Sequence, residues 1–210
     1  DVAPSRGLGD VYKRQTVNYK KTHSQTLLPM LDELRRMVDL DLKSIDLIAV
    51  AAGPGSFTGL RIGSATAKGL GLALDIPLAA VPTVDALAYN LYGCEQLICP
   101  MMDARRGQVY TGIYTFVNGE MQVIQEQCAI SVEELVGRLK EECKKYGKKV
   151  VLLGDGVPVY REKVQEILQG QCEFAPASCN RQRAACVAVL GQSLAAAGKT
   201  VSSDDFAPEY

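Results

Sequence analysis

Two segments of the sequence carry residue types that could do chemistry, and the first is a glycine-rich turn. It follows an apolar run at 47–52 and reads G-P-G-S-F-T-G-L-R over residues 53–61. A strand must end there, because proline has no ladder donor and glycine favours unusual dihedrals. A serine or threonine can then cap a following helix, which gives a geometry suited to an anion. The motif comprises Gly53, Pro54, Gly55, Ser56, Thr58 and Arg61.

The glycine turn matches neither of two common nucleotide fingerprints. A P-loop needs a lysine directly after the second glycine of its spacing, and none stands there. The G-x-G-x-x-G pattern is absent as well, although Asp75 and Asp85 lie within range of the acid that would bind a ribose. A ligand phosphate and a tight structural turn are therefore the two alternatives for this segment.

The second segment is an acid followed by two arginines. Asp103 ends an apolar run, and Arg105 and Arg106 precede Gly107 in an expected turn. This cluster could be a catalytic acid with an anion clamp. An ion-paired turn is the alternative, and it is the commoner use of such residues.

Histidine and cysteine usage argues against a metal centre and against hydrolase chemistry. The single histidine, His23, cannot build a zinc site, and nothing in the sequence places it near Ser56 as a base. Seven cysteines form no C-x-x-C pair and indicate reduced cytosolic thiols. We therefore expect no metal and no cofactor.

Composition describes an ordinary globular protein. The 210 residues are 47% apolar and 22% charged, which suits one α/β domain or two small subdomains. The net charge of −1 gives no basic field to hold RNA unaided, so direct RNA binding is weakly supported. No run approaches the ~20 apolar residues of a membrane span, and we expect a cytoplasmic protein without a membrane partner.

Strand and helix signals predict an α/β fold with two subdomains. Before residue 97 strands and helices alternate, whereas afterwards two strand patterns flank Asn118-Gly119, a strong hairpin signal. We expect an N-terminal subdomain at 16–96 and a C-terminal subdomain at 97–210. Strands are predicted at 47–52, 78–81, 97–103, 108–117, 120–127 and 150–153, and helices at 24–38, 56–74, 82–92, 131 onward, 159–168 and 181–197.

Two of these predicted helices have faces that could receive another protein. In the helix at 56–74, small residues recur every four positions and would let another helix approach closely. In the helix at 24–38, leucines occupy one face, and packing on a sheet or on a partner helix are open alternatives. The predicted interface residues are Leu27, Leu28, Leu31, Gly59, Gly63, Ala67 and Gly71.

Taken together, the motifs resemble one family, the TsaB (YeaZ) accessory subunits of tRNA threonylcarbamoyladenosine biosynthesis. The resemblance spans residues 16–210, and its most specific part is the run G-P-G-S-F-T-G-L-R-I-G at 53–63. It also includes T-H-S at 22–24, L-L-P at 27–29, D-A-R-R-G at 103–107 and L-G-D-G at 153–156.

The resemblance implies a fold and a role. The fold is ribonuclease-H-like and actin-like, as in actin-like ATPases, with two subdomains of mixed sheets flanked by helices. The role is a non-catalytic scaffold that pairs through N-terminal helices with the catalytic subunit TsaD. From the two helix faces described above, we expect the chain alone to form a homodimer. The complex, which includes the ATPase TsaE, transfers threonylcarbamoyl to the adenosine next to the tRNA anticodon, so this subunit would meet tRNA only through the complex. The alternative is a catalytic ATPase or peptidase of the same superfold that uses the glycine turn and Asp103.

The sequence departs from the family pattern at both ends. The family opens with a strand and hairpin containing Asp-Thr-Ser, whereas Asp1–Gln15 shows neither strand nor helix periodicity. We interpret this segment as non-native, with a structured arm as the alternative, and expect the first strands to be missing. We likewise expect the family's extension beyond Pro208-x-Tyr210 to be missing.

Overall fold

A computed structural model of the chain describes residues 23–209, with side chains from residue 26 onward. The predictions for Asp1–Gln15 and for the missing first strands lie outside the described residues, as does the side chain of His23. The helices are α1 (His23–Met37), α2 (Phe57–Leu74), α3 (Thr83–Ala88), α4 (Val132–Tyr146), α5 (Val157–Leu168) and α6 (Ala184–Ala196). The strands are β1 (Ile48–Gly53), β2 (Leu78–Pro82), β3 (Leu97–Arg105), β4 (Gln108–Val117), β5 (Glu120–Ser131), β6 (Val150–Leu153) and β7 (Cys172–Phe174).

The described residues form two compact units. Residues 23–83 and 184–209 make the first unit, and residues 84–183 make the second. None of the helices in the described range combines the length and the apolar composition that crossing a membrane requires.

In the first unit, β1 and β2 pair in parallel with Ile48 opposite Leu78. Successive strand residues point to opposite faces, so the two faces pack against different helices. One face packs with Ala67 of α2 in a small core. The other face meets α6, where a side chain added to Gly191 would collide with Ala49. The result is a layer of two strands between helices, and α1 packs against α2.

In the second unit, five strands form a mixed sheet in the order β5-β4-β3-β6-β7. β4 is antiparallel to β3 and β5, whereas β6 is parallel to β3 and β7. One core contains residues of α4 and α5, and a second core contains residues of α3. The predicted hairpin is confirmed, because Asn118 and Gly119 both have positive φ, 53° and 82°, between β4 and β5.

The division of the chain differs from the predicted boundary at residue 97. Val84 and Leu87 pack in one core with Ile98, so the segment after Thr83 belongs to the second unit. Helix α6 returns to the first unit, where it packs on β1 and β2. Periodicity along the chain shows that α6 is a helix but not which sheet it covers.

Candidate partner surface and glycine turn

The glycine turn of the first unit lies where β1 and β2 end. These strands are parallel, so their carboxyl ends meet at one edge of the sheet, and there the Gly53 N–H donates to Thr83 Oγ1 at 3.2 Å. The Ser56 hydroxyl accepts from the Gly59 N–H at 3.4 Å and caps α2, as predicted from the sequence. Thr58 is exposed in the first turn of the helix.

The backbone of Glu209, near the end of the described chain, packs directly against the glycine turn. Gly53 has φ of 127°, and the carbonyl oxygen of Glu209 lies where a side chain on Gly53 would begin. The Glu209 N–H in turn donates to the Ala52 carbonyl at 2.7 Å. At Gly55 an added Cβ would make only ordinary contact with the Leu60 side chain, at 3.6 Å. Glycine is therefore required at position 53 for a structural reason, since any side chain there would collide with the backbone of Glu209.

The first turn of α2 also presents an arginine stacked on an aromatic ring. The Arg61 guanidinium lies 4.0 Å from the centre of the Phe57 ring, and both residues are exposed. Pro54, which precedes this turn, is half-buried. The structure thus places Arg61 beside Phe57 on the surface of the helix.

The small residues of α2 are divided between two sides of the helix. Ala67 is 5% exposed and packs in the core with Ala52, and a Cβ on Gly71 would meet Leu78 Cδ1 at 2.6 Å. By contrast, Gly63 has open space around its Cβ position. The prediction that Ala67 and Gly71 face a partner is corrected, because both are packed inside the first unit. Each four-residue step overshoots a full turn by about 40°, so the series winds around the helix.

The other interface residues lie on α1 and at the start of α2. Leu28 is 54% exposed and Leu31 is 39% exposed, whereas Leu27 is half-buried. Gly59 is half-buried, with only the Ser56 side chain near its Cβ position, at 3.5 Å. Because α1 packs against α2, exposed leucines and an open glycine lie on two neighbouring helices.

In the second unit, Asp103 is held by hydrogen bonds. Its carboxylate accepts from the Arg105 N–H at 2.9 Å and from the Tyr160 hydroxyl at 3.2 Å. Desolvation, followed by the nearby Asp103 carboxylate, raises the pKa of Tyr160 above its ordinary value. Neither Arg105 nor Arg106 forms an ion pair with Asp103 in the described part of the chain. The predicted ion-paired turn is thus a turn capped through its backbone, and the anion clamp stays a prediction.

A second glycine turn, Gly154-Asp155-Gly156, stands beside Asp103. Asp155 Oδ1 accepts from the Asp103 N–H at 3.2 Å, and the Gly154 N–H donates to Asn180 Oδ1 at 2.6 Å. Sequence reasoning missed Tyr160 and Asn180, since both reach the turn from segments that follow β6. The Gly-Asp-Gly pattern was the only local signal, and many turns would match it.

Asp85, considered from the sequence only as an acid in range of a ribose, is a half-buried carboxylate of the second unit. The buried Tyr114 hydroxyl donates to Asp85 Oδ1 at 2.7 Å. Burial, and to a lesser extent Glu126, raises the pKa of Asp85, while the tyrosine hydrogen bond opposes the shift. Burial likewise raises the pKa of Tyr114 and that of the Cys99 thiol, the latter to about 12. All seven cysteines are free thiols, and the pKa of Cys99 makes it an unreactive one.

Known proteins resemble this chain over most of its length. The family model described as "TsaD: tRNA N6-adenosine threonylcarbamoyltransferase" matches residues 12–210. A Bacillus subtilis (strain 168) protein named "tRNA threonylcarbamoyladenosine biosynthesis protein TsaB" is 34% identical over 178 residues, 85% of this chain and 76% of that protein. The Escherichia coli (strain K12) protein of the same name is 28% identical over 196 residues, 90% of this chain and 80% of that protein.

Solved structures resemble the chain in fold as well. The structure described as "YeaZ from Pseudomonas aeruginosa" superposes with a TM-score of 0.70 at 26% identity, covering 90% of this chain and 85% of that one. A second structure, described as having similarity to peptidase YEAZ from the same organism, gives a TM-score of 0.71 at 27% identity, covering 90% and 84%. The expected α/β fold, with helices flanking the sheets, is confirmed by these structures.

Proposed function

Since the chain belongs to the TsaD family of tRNA N6-adenosine threonylcarbamoyltransferases, as one of its TsaB (YeaZ) members, we propose a role in tRNA threonylcarbamoyladenosine biosynthesis. In this role the chain is a non-catalytic scaffold in the cytoplasm. It pairs with the catalytic subunit TsaD, works with the ATPase TsaE, and contacts tRNA only through the complex. Without its partner it forms a homodimer.

One observation carries the proposed pairing surface, the exposure of apolar side chains on α1 next to an open glycine on α2. Leu28 and Leu31 offer apolar area that water covers in the isolated chain, and burying it against a partner is favourable. At Gly63 the bare backbone leaves room for a partner helix. We place the interface on Leu27, Leu28, Leu31, Gly59 and Gly63.

The non-catalytic assignment is supported by what already occupies the two segments that could do chemistry. In the first unit, the Glu209 backbone closes on the glycine turn at Gly53. In the second unit, Asp103 is engaged by Arg105 N–H and Tyr160. The catalytic alternative predicts saturable binding of ATP with magnesium, whereas a scaffold gives no heat of binding in the same calorimetric titration.

The test of the pairing surface is a matched pair of substitutions on α2. Gly63→Leu and Gly69→Leu both replace a glycine whose Cβ position has open space, so both variants should fold. Six positions apart, the two lie on different sides of the helix. We expect Gly63→Leu to weaken co-purification with the catalytic subunit at least about tenfold, a loss of about 1.4 kcal/mol, and Gly69→Leu to leave it unchanged.

The outcomes separate cleanly because folding is measured independently. Circular dichroism and thermal denaturation should match the parent chain for both variants. Unchanged pairing of a folded Gly63→Leu variant removes the proposed surface. Failure of the parent chain to pair with the catalytic subunit removes the proposed function itself.

A further inference from the structure

Residues 201–209, which we call the tail, cross the first unit and pack against α2. At one end Val201 exchanges two backbone hydrogen bonds of 2.9 Å with Leu78. In the middle Phe206, 3% exposed, enters the core that contains Ala67. At the other end the backbone of Glu209 reaches the glycine turn. The tail is therefore packed into the first unit along its whole length.

A lysine of α2 ties the helix to the middle of the tail. Lys68 Nζ donates to the carbonyl of Asp204 at 3.2 Å and to that of Phe206 at 3.1 Å. Both acceptors are backbone carbonyls, so these two hydrogen bonds depend on the conformation of the tail. That conformation is fixed locally, because Ser202 Oγ accepts from the Asp205 N–H at 3.1 Å and donates to its carboxylate at 2.7 Å.

Helix α2 depends on such packing because its own sequence is a weak helix former. Four glycines, at 59, 63, 69 and 71, stand within its 18 residues. Glycine loses more backbone entropy in a helix than any other residue, so packing must hold the helix in place. The tail provides part of that packing, since Ser203 and Leu78 close around Gly71.

We propose that the tail is a strap whose docking on α2 is coupled to partner binding near Gly63 of the same helix. This inference rests on the proposed function, in which the partner contacts α2 near Gly63. If the partner binds only the fully folded helix α2, it binds more tightly when the tail is docked and stabilises that helix. By reciprocity, the bound partner makes the tail open less often.

The first test replaces Lys68 by methionine, which keeps the apolar stem and removes the donors to the tail. Lys199→Met is the control, since Lys199 is an exposed lysine of the same unit. We expect Lys68→Met to weaken association with the catalytic subunit about tenfold, within the range typical of coupled sites. Lys199→Met should bind as the parent chain does.

The second test measures hydrogen exchange of the tail amides in the parent chain, alone and with the catalytic subunit. Coupling requires slower exchange at Val201, Phe206 and Glu209 in the complex, whereas a merely structural tail exchanges equally in both states. The proposal is overturned if a folded Lys68→Met variant pairs normally, or if tail exchange does not respond to the partner. Absence of pairing by the parent chain instead refutes the proposed function.

Discussion

The core of the second unit contains its largest fully buried side chains, whereas alanines line the contact between β1 and α2 in the first unit. Tyr114, Phe116 and Leu135 are fully buried in the second unit. In the first unit, Ala52 and Ala67 hold the corresponding place between sheet and helix. Small side chains bring α2 close to its sheet, and Leu28 and Leu31 of α1 stay exposed. These exposed leucines are the apolar surface on which we propose that a partner binds.

The two glycine turns show the same contrast on a smaller scale. Gly53 and Gly154 both have a positive φ, and at both a backbone carbonyl lies where a side chain would begin. At Gly154 that carbonyl belongs to Met101 of the neighbouring strand β3. At Gly53 it belongs to Glu209, far away in sequence. The glycine turn of the first unit is therefore packed against a segment distant in sequence, whereas that of the second unit is packed against a strand of its own sheet.

The largest effect is expected from shortening a side chain in the large-residue core. Leu135→Ala should lower the free energy of unfolding by about 2–5 kcal/mol, because a fully buried leucine leaves a cavity. Urea denaturation measures it. Leu72→Ala on the exposed side of α2 is the control and should change that free energy by less than about 0.5 kcal/mol. Equal losses at the two sites would contradict the tight packing of Leu135 in the core of the second unit.

A smaller effect is expected from adding a methyl group to the small-residue contact. Gly71→Ala should cost about 1–3 kcal/mol of unfolding free energy, since the new Cβ collides with the buried Leu78. Gly69→Ala, on the same helix but in open space, should gain up to about 1 kcal/mol through helix propensity. Urea denaturation of both variants is the measurement. A stabilised Gly71→Ala variant would show that α2 is not tightly packed there.

The smallest effect is expected at the half-buried carboxylate of the second unit. A carboxyl whose folded pKa is raised contributes stability below its unfolded pKa, ordinarily 3.8 for Asp85, and loses it as pH rises through the folded pKa. Asp85→Asn removes this titration and keeps an acceptor for Tyr114. The stability of Asp85→Asn relative to the parent should therefore increase from about pH 3 to about pH 7.

Urea denaturation at the two pH values measures this difference, and Asp46→Asn on the surface is the control. The control should show no comparable trend. If the stability of Asp85→Asn relative to the parent falls as pH rises, the ionised Asp85 is not destabilised by burial in the second unit.

Local patterns predicted most of the secondary structure and part of the candidate site. The strand, glycine turn and capped helix at 47–74, and the Asn118-Gly119 hairpin, each depend on residues close in sequence. Strand β7 was missed, because three residues carry too short a pattern to register. The contacts of Asp103 were missed as well, since Tyr160 and Asp155 come from elsewhere in the chain.

The sequence by itself determined the family, the fold class and the position of the glycine turn, because these depend on residue types at fixed short spacings. Only the tertiary structure decided which side of α2 is buried and what closes the turn. The small residues from Gly59 to Gly71 look alike in sequence, yet the helix rotates Gly63 into the open and Gly71 against Leu78. That Glu209 meets Gly53 depends on the chain returning across the first unit, which no spacing within the motif encodes.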